Sequence, residues 1–192
     1  MFLYSWLGII SGACAVAAYV PYVYLTIRGK ITPHPISWLL WAILGAVSLI
    51  TYIAVGAHET LPLAIVSFIG PTLLFLLSVK KWKGRFGRFD YVCLAFSCVA
   101  ILVYIIFHQA AFALSINLIG DFIAALPTIR KTYHDPSSEN LSTWLLFTLS
   151  AVIALFALDH LTYGLVILPL YLVLFEGLMC VLVIRGRLKK TL

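Results

Sequence analysis

Long apolar runs alternate along the chain with short polar breaks, and the runs outlast the strands and core helices of an ordinary soluble domain. Seven stretches are almost continuously hydrophobic: 2–27, 36–55, 61–79, 91–107, 111–128, 143–158 and 163–184. A helix needs about 20 such residues to cross a hydrocarbon core, and helices satisfy their own backbone hydrogen bonds in lipid. The pattern predicts an all-α integral membrane protein of seven transmembrane helices, several of them at the short end. Little chain separates the runs, so no soluble domain is expected. The first run is read as a retained helix and not a signal peptide. No basic stretch precedes it, and it continues past the small-residue segment "GACAVA".

Composition agrees with the pattern. Of 192 residues, 63% are hydrophobic and 10% charged, against about 25% charged in a soluble domain. A net charge of +6 could suggest nucleic acid, but its placement argues otherwise. Arg28 and Lys30 follow the first run, and Lys80, Lys81, Lys83, Arg85 and Arg88 follow the third. Arg130 and Lys131 follow the fifth, and Arg185, Arg187, Lys189 and Lys190 follow the seventh. In a seven-span chain all of these fall on one side. The positive-inside rule then puts the N-terminus outside and the C-terminus in the cytoplasm. The expected partner is a lipid bilayer, with no nucleic acid.

The second feature is a repeat. Pro21 and Trp38 lie seventeen residues apart, as do Pro127 and Trp144, and the two pairs are offset by 106. At that offset Ala18, Thr26, Leu39 and Leu40 also meet identical residues, Ser37 meets Thr143, and Trp41 meets Phe147. Runs one to three lie on runs five to seven, with the fourth between them. An odd number of spans between the copies gives both the same orientation, as in parallel repeats related by an axis along the membrane normal. The expected organisation is a first three-helix repeat at 1–83, a linker helix at 84–110 and a second repeat at 111–192.

A proline inside a helix removes a hydrogen bond and weakens the turn before it. Pro21 and Pro127 sit near the cytoplasmic end of their spans, one in each copy, and are expected to act as gate hinges. Candidate path residues are polar groups at membrane depth. Asp121 lies near the middle of the fifth span, with Asn117 one turn away on the same face, and Glu176 in the middle third of the seventh. Intramembrane carboxylates are costly and mark ion or substrate paths by default; both are candidate proton carriers. Ser11 and Cys14 are expected on the opposing wall, Tyr19 nearer the gate, and Trp41 where it could stack on a sugar or nucleoside ring. Trp38 and Trp144 are expected in an interfacial aromatic belt, and Gly8 with Gly12 in a close helix contact.

Enzyme chemistry is not legible. The four cysteines sit singly in apolar runs, the five histidines form no ligand pair, and no phosphate-binding glycine loop or Ser–His–acid grouping is present. Neither a metal, a cofactor nor a catalytic residue is expected.

The segments "VPYVYLTIRGKITPHPISWLLW" and "LPTIRKTYHDPSSENLSTWLL", in a 3+1+3 arrangement, resemble the PQ-loop and SWEET (MtN3/saliva) superfamily, and look most like a bacterial branch of such seven-span proteins. Where that family carries Pro-Gln, this chain has Pro21-Tyr22 and Pro127-Thr128. The resemblance implies a bacterial inner membrane and the movement of a small polar solute by alternating access between two three-helix bundles. Sugars, amino acids and vitamin-like compounds all remain open as substrates, with proton coupling through Asp121. Self-association also stays open. The alternative is a non-transporting receptor or scaffold of the KDEL-receptor type. No Lys or Arg lies deep in a span, which favours a neutral or cationic solute and transport.

Overall fold

The computed structural model describes residues 2–54, 61–106, 110–158, 161 and 163–189. Its described residues form seven α-helices and one 3-10 turn, with no strand. The helices are α1 (Phe2–Ile27), α2 (Pro35–Ala54), α3 (Leu61–Lys81), α4 (Arg88–Ile106), α5 (Ala110–His134), α6 (Leu141–Phe156) and α7 (Tyr163–Lys189), and the 3-10 turn is Pro136–Ser138. Among the described residues two helical segments are long and apolar enough to cross a membrane, Trp6–Ile27 of α1 and Val166–Gly186 of α7. Only 17% and 33% of those windows are buried inside the protein. Their large apolar side chains, Ile9, Val20, Leu174 and Val181 among them, face outward. Exposed apolar area of that extent is unfavourable in water and neutral in lipid.

The helix ends follow local chemistry. Helix α1 stops at Gly29, whose φ of 67° is the left-handed conformation that glycine adopts without strain. The amide of Lys30 then reaches the carbonyl of Leu25 and that of Gly29 reaches Thr26, a Schellman end. Helix α6 begins at Asn140, whose side-chain oxygen accepts from the amide of Thr143 at 2.9 Å. Asp135 caps the 3-10 turn through the amide of Ser137 at 3.1 Å, with Pro136 in the first position, where its missing N–H costs nothing.

The chain packs as two compact units. One comprises 1–31 and 131–192, the other 32–130. In the first unit α1 lies on α6, α6 on α7, and α7 on the 3-10 turn. A reciprocal pair joins α1 to α6: Ser11 Oγ donates to the Ser150 carbonyl at 2.9 Å, and Ser150 Oγ to the Ser11 carbonyl at 2.8 Å. A Cβ at Gly186 would fall inside van der Waals contact of Pro136, so that glycine sets the approach of α7 to the turn. In the second unit α2 packs on α3, with the Gly45 Cα facing the Ser67 carbonyl. Ile36, Leu40 and Ala124 form a buried cluster, flanked by Trp41 and Leu94, that gathers α2, α4 and α5.

These units divide the chain at other points than 1–83, 84–110 and 111–192. Under the 106-residue correspondence, α1, α2 and α3 match α5, α6 and α7. The first unit holds α1, α6, α7 and the end of α5, and the second holds α2, α3, α4 and most of α5. Two expectations are corrected. Gly8 and Gly12 make no close helix contact, since a Cβ at either would meet nothing within 4 Å. Trp38 and Trp144, each 2% exposed, are buried core residues and not members of a lipid-facing belt.

Candidate functional site

The strongest constellation of polar groups lies at the basic end of the first unit, around Glu139. This residue follows the 3-10 turn in extended conformation (φ −126°, ψ 159°) and precedes the cap of α6. Two devices fix it: the Asp135–Pro136 start of the turn and the Asn140 cap that begins the next helix. Between them the side chain has no direction but inward, and its carboxylate is 0% exposed.

The carboxylate gathers donors from three helices. Glu139 Oε2 accepts from Tyr22 Oη at 2.6 Å and from Trp144 Nε1 at 3.1 Å. Glu139 Oε1 accepts from Lys131 Nζ at 2.5 Å, an ion pair whose lysine side chain is 11% exposed. Buried carboxylates are strongly destabilising without partners, so this one fixes the positions of the groups that satisfy it. Tyr22 stands on α1 directly after Pro21 and is fully buried, its ring edge-on to Trp144 at 6.3 Å. Lys131 stands on α5 one turn after Pro127. Helices α1 and α5, which carry Pro21 and Pro127, thus each place a donor on the same carboxylate after the proline. Trp144 also meets Phe175 of α7 edge-on at 5.7 Å, which carries the cluster across to the fourth helix of the unit.

A second buried acid occupies the basic end of the other unit. Asp90 Oδ2 accepts from the Gly87 amide at 2.7 Å and so caps α4, while Asp90 Oδ1 lies 3.5 Å from His34 Nε2. His34 is buried and packs edge-on against Trp82 at 4.7 Å. At the 106 offset His34 corresponds to Asn140, so both acids serve the start of the helix that carries the matched tryptophan. One pair is charged through lysine. The other is an ion pair only when His34 is protonated.

The expected path residues are distributed between the units. Ser11, Cys14, Tyr19, Pro21 and Glu176 belong to the first, Trp41, Asp121 and Pro127 to the second. Ser11 is engaged with Ser150, and Tyr19 meets Phe147 edge-on at 5.1 Å. Trp41 meets Trp38 edge-on at 4.8 Å. Cys14 is a half-buried free thiol. Asp121 is half-buried on α5, and the side chain of Asn117 lies outside the described residues. Glu176 is 8% exposed, buried beside Phe175 within the most apolar stretch of α7. Pro21 and Pro127 sit inside continuous helices, the second fully buried.

Glu139 was not among the residues expected to matter. Attention to acids within spans passes over an acid in a polar loop, whose ordinary state is solvated. One signal was available: Glu139 is one of seven acids in the chain and lies in the polar segment that carries Arg130 and Lys131. Among the described residues no group of three His, Cys, Asp or Glu side chains could hold a metal ion. The arrangement can hold helix ends together through contacts that are strong while dry and breakable once wetted. No family model, curated protein or solved structure matches this chain.

Proposed function

We propose that this protein is a membrane transporter of small polar solutes, related to the seven-span PQ-loop and SWEET-like carriers, in which the Glu139 cluster locks the cytoplasmic end. The observation that carries the reading is the convergence of Tyr22, beside Pro21, and Lys131, one turn past Pro127, on one buried carboxylate. Alternating access requires an end that closes firmly and reopens. Closing 99:1 takes about 2.7 kcal/mol, half of the roughly 5.5 kcal/mol that moves a two-state equilibrium from 1:99 to 99:1. Losing one partner of a buried ion pair costs about 3–5 kcal/mol, so a single carboxylate is of the right size to set the balance. The prolines supply helix turns with a missing hydrogen bond, which lets the ends move without first breaking a full ladder.

Within the same reading, Asp121 and Glu176 are the acids of the path, and protonation of Asp121 couples solute to proton movement. Ionisable groups inside spans have that role by default. Distribution of every Lys and Arg to one side supports a cytoplasmic C-terminus, and the resemblance supports a bacterial inner membrane. The solute is a neutral or cationic sugar, amino acid or vitamin-like compound.

A ligand screen on the purified chain tests the proposal. A solute that binds the folded state at a hundred times its Kd stabilises it by about 2.7 kcal/mol, visible as a raised thermal midpoint. The reading expects at least one of these classes to stabilise the protein, with Asp121→Asn changing the pH dependence of the effect. A folded protein stabilised by none of them at millimolar concentration would count against transport.

A further inference from the structure

The segment between α3 and α4 carries five cations in nine residues, "KKWKGRFGR" at 80–88. Lys80, Lys81, Lys83, Arg85 and Arg88 are all exposed. Among the described residues none of them has an acid within salt-bridge distance. The acid nearest in sequence, Asp90, is turned inward to the Gly87 amide and His34, so it does not offset the surface charge.

This segment is held in place by its aromatic residues. Trp82 packs on the buried His34 ring, and Phe86 stacks on Trp82 at 5.9 Å with an 8° interplanar angle. A Cβ at Gly84 would lie 2.6 Å from the Trp82 ring, so only glycine lets the backbone wrap this closely around the indole. The cations are thus mounted on an anchored turn, with Phe86 and Tyr91 partly exposed beside them.

We propose that residues 80–88 form a binding site for the phosphate headgroups of anionic phospholipids. The reasoning is charge complementarity at a fixed place. An anchored turn loses little entropy on binding, and the partly exposed aromatic rings suit the headgroup level. The cations stand between the end of α3 and the start of α4, and if those ends meet a bilayer surface the anionic headgroups act on them within a Debye length. Each basic residue near an anionic surface strengthens binding by about 1 kcal/mol, or roughly fivefold. This inference rests on the membrane reading and on no particular transported solute.

The test uses the full chain in neutral detergent and in vesicles. Phosphatidylglycerol, phosphatidylcholine and inorganic phosphate are titrated in turn, and retained lipid is counted by intact-protein mass spectrometry. Wild-type protein is expected to hold phosphatidylglycerol at least tenfold more tightly than phosphatidylcholine, with millimolar phosphate failing to displace it. Lys81→Gln/Lys83→Gln/Arg85→Gln should weaken retention about a hundredfold, at roughly fivefold per charge, and Arg28→Gln/Lys30→Gln less than twofold. Equal losses per charge removed in the two variants would reduce the effect to diffuse charge and overturn the site. Displacement by free phosphate would overturn the lipid as its ligand. A chain that inserts into vesicles but shows no preference for the anionic lipid removes this inference alone. A chain that fails to insert removes the membrane reading with it.

Discussion

Replacing Glu139 by glutamine keeps the side chain's shape and removes its charge, and the consequences can be worked donor by donor. The amide oxygen can still accept from Tyr22 and Trp144, which meet Glu139 Oε2 at 2.6 Å and 3.1 Å. The amide nitrogen must then face the ammonium of Lys131, where it offers only further donors. One ion pair is lost and two charge-assisted bonds become neutral ones. A hydrogen bond to a charged group contributes about 1.5–3 kcal/mol and a neutral one about 0.5–1.5. Lysine can recover part of its loss by extending toward water. The expected destabilisation is about 3 kcal/mol. Tyr22→Phe removes one donor and should cost about 1.5 kcal/mol alone. In the Glu139→Gln background the same change should cost only about 0.5–1, a coupling of roughly 0.5–1 kcal/mol. Thermal or denaturant unfolding of the four proteins in one detergent measures this cycle. Additive effects within about 0.3 kcal/mol, or a Glu139→Gln cost below 0.5, would refute the cluster as an energetic unit.

Glycine substitutions should separate close contacts from open faces. Gly186→Ala, against Pro136, and Gly45→Ala, against the Ser67 backbone, should each lower stability by about 1–3 kcal/mol. Gly8→Ala and Gly12→Ala, where a Cβ meets nothing within 4 Å, should stay within about 0.5 kcal/mol of wild type in the same unfolding assay. Ser150→Ala removes the bond from Ser150 Oγ to the Ser11 carbonyl and leaves the Ser150 carbonyl to accept from Ser11 Oγ, so it should cost about 0.6 kcal/mol and no more than about 1.7. Asp121→Asn should leave folding intact and abolish pH-driven uptake into liposomes while sparing exchange. Unchanged pH dependence in a folded Asn variant would exclude the coupling role.

Much of the fold was legible because hydrophobic length alone decides where a chain can be helical in lipid. The first helix, Phe2–Ile27, has the expected bounds, and the ends of α2 and α6 fall within two residues of expectation. The longer errors share one cause. Helices α5 and α7 run on to His134 and Lys189, past the apolar segment, because cations favour a helix C-terminus and no breaker intervenes before Pro136 in the first case. Apolar run length marks only the apolar part of a helix, and these two helices continue into polar sequence beyond it. Packing partners were not legible. That α1 lies on α6 depends on Ser11 meeting Ser150, and nothing in either run taken alone specifies that choice. Glu139 was hidden for a related reason: the capped turns on either side aim it inward, and a loop acid carries no mark of its direction until both turns are placed.

Movement of solute controlled by the Glu139 lock is tested most directly by uptake of labelled sugars, amino acids and nucleosides into sealed proteoliposomes. Wild-type protein and Glu139→Gln are compared at equal amounts of folded, inserted chain. The account predicts saturable wild-type uptake of at least one class. In the variant, a shift of about 3 kcal/mol moves the open-to-closed ratio roughly a hundredfold, and transport of that same class should change at least tenfold. Vesicles no faster than protein-free controls for every class would contradict transport, and equal rates in the two proteins would contradict the lock.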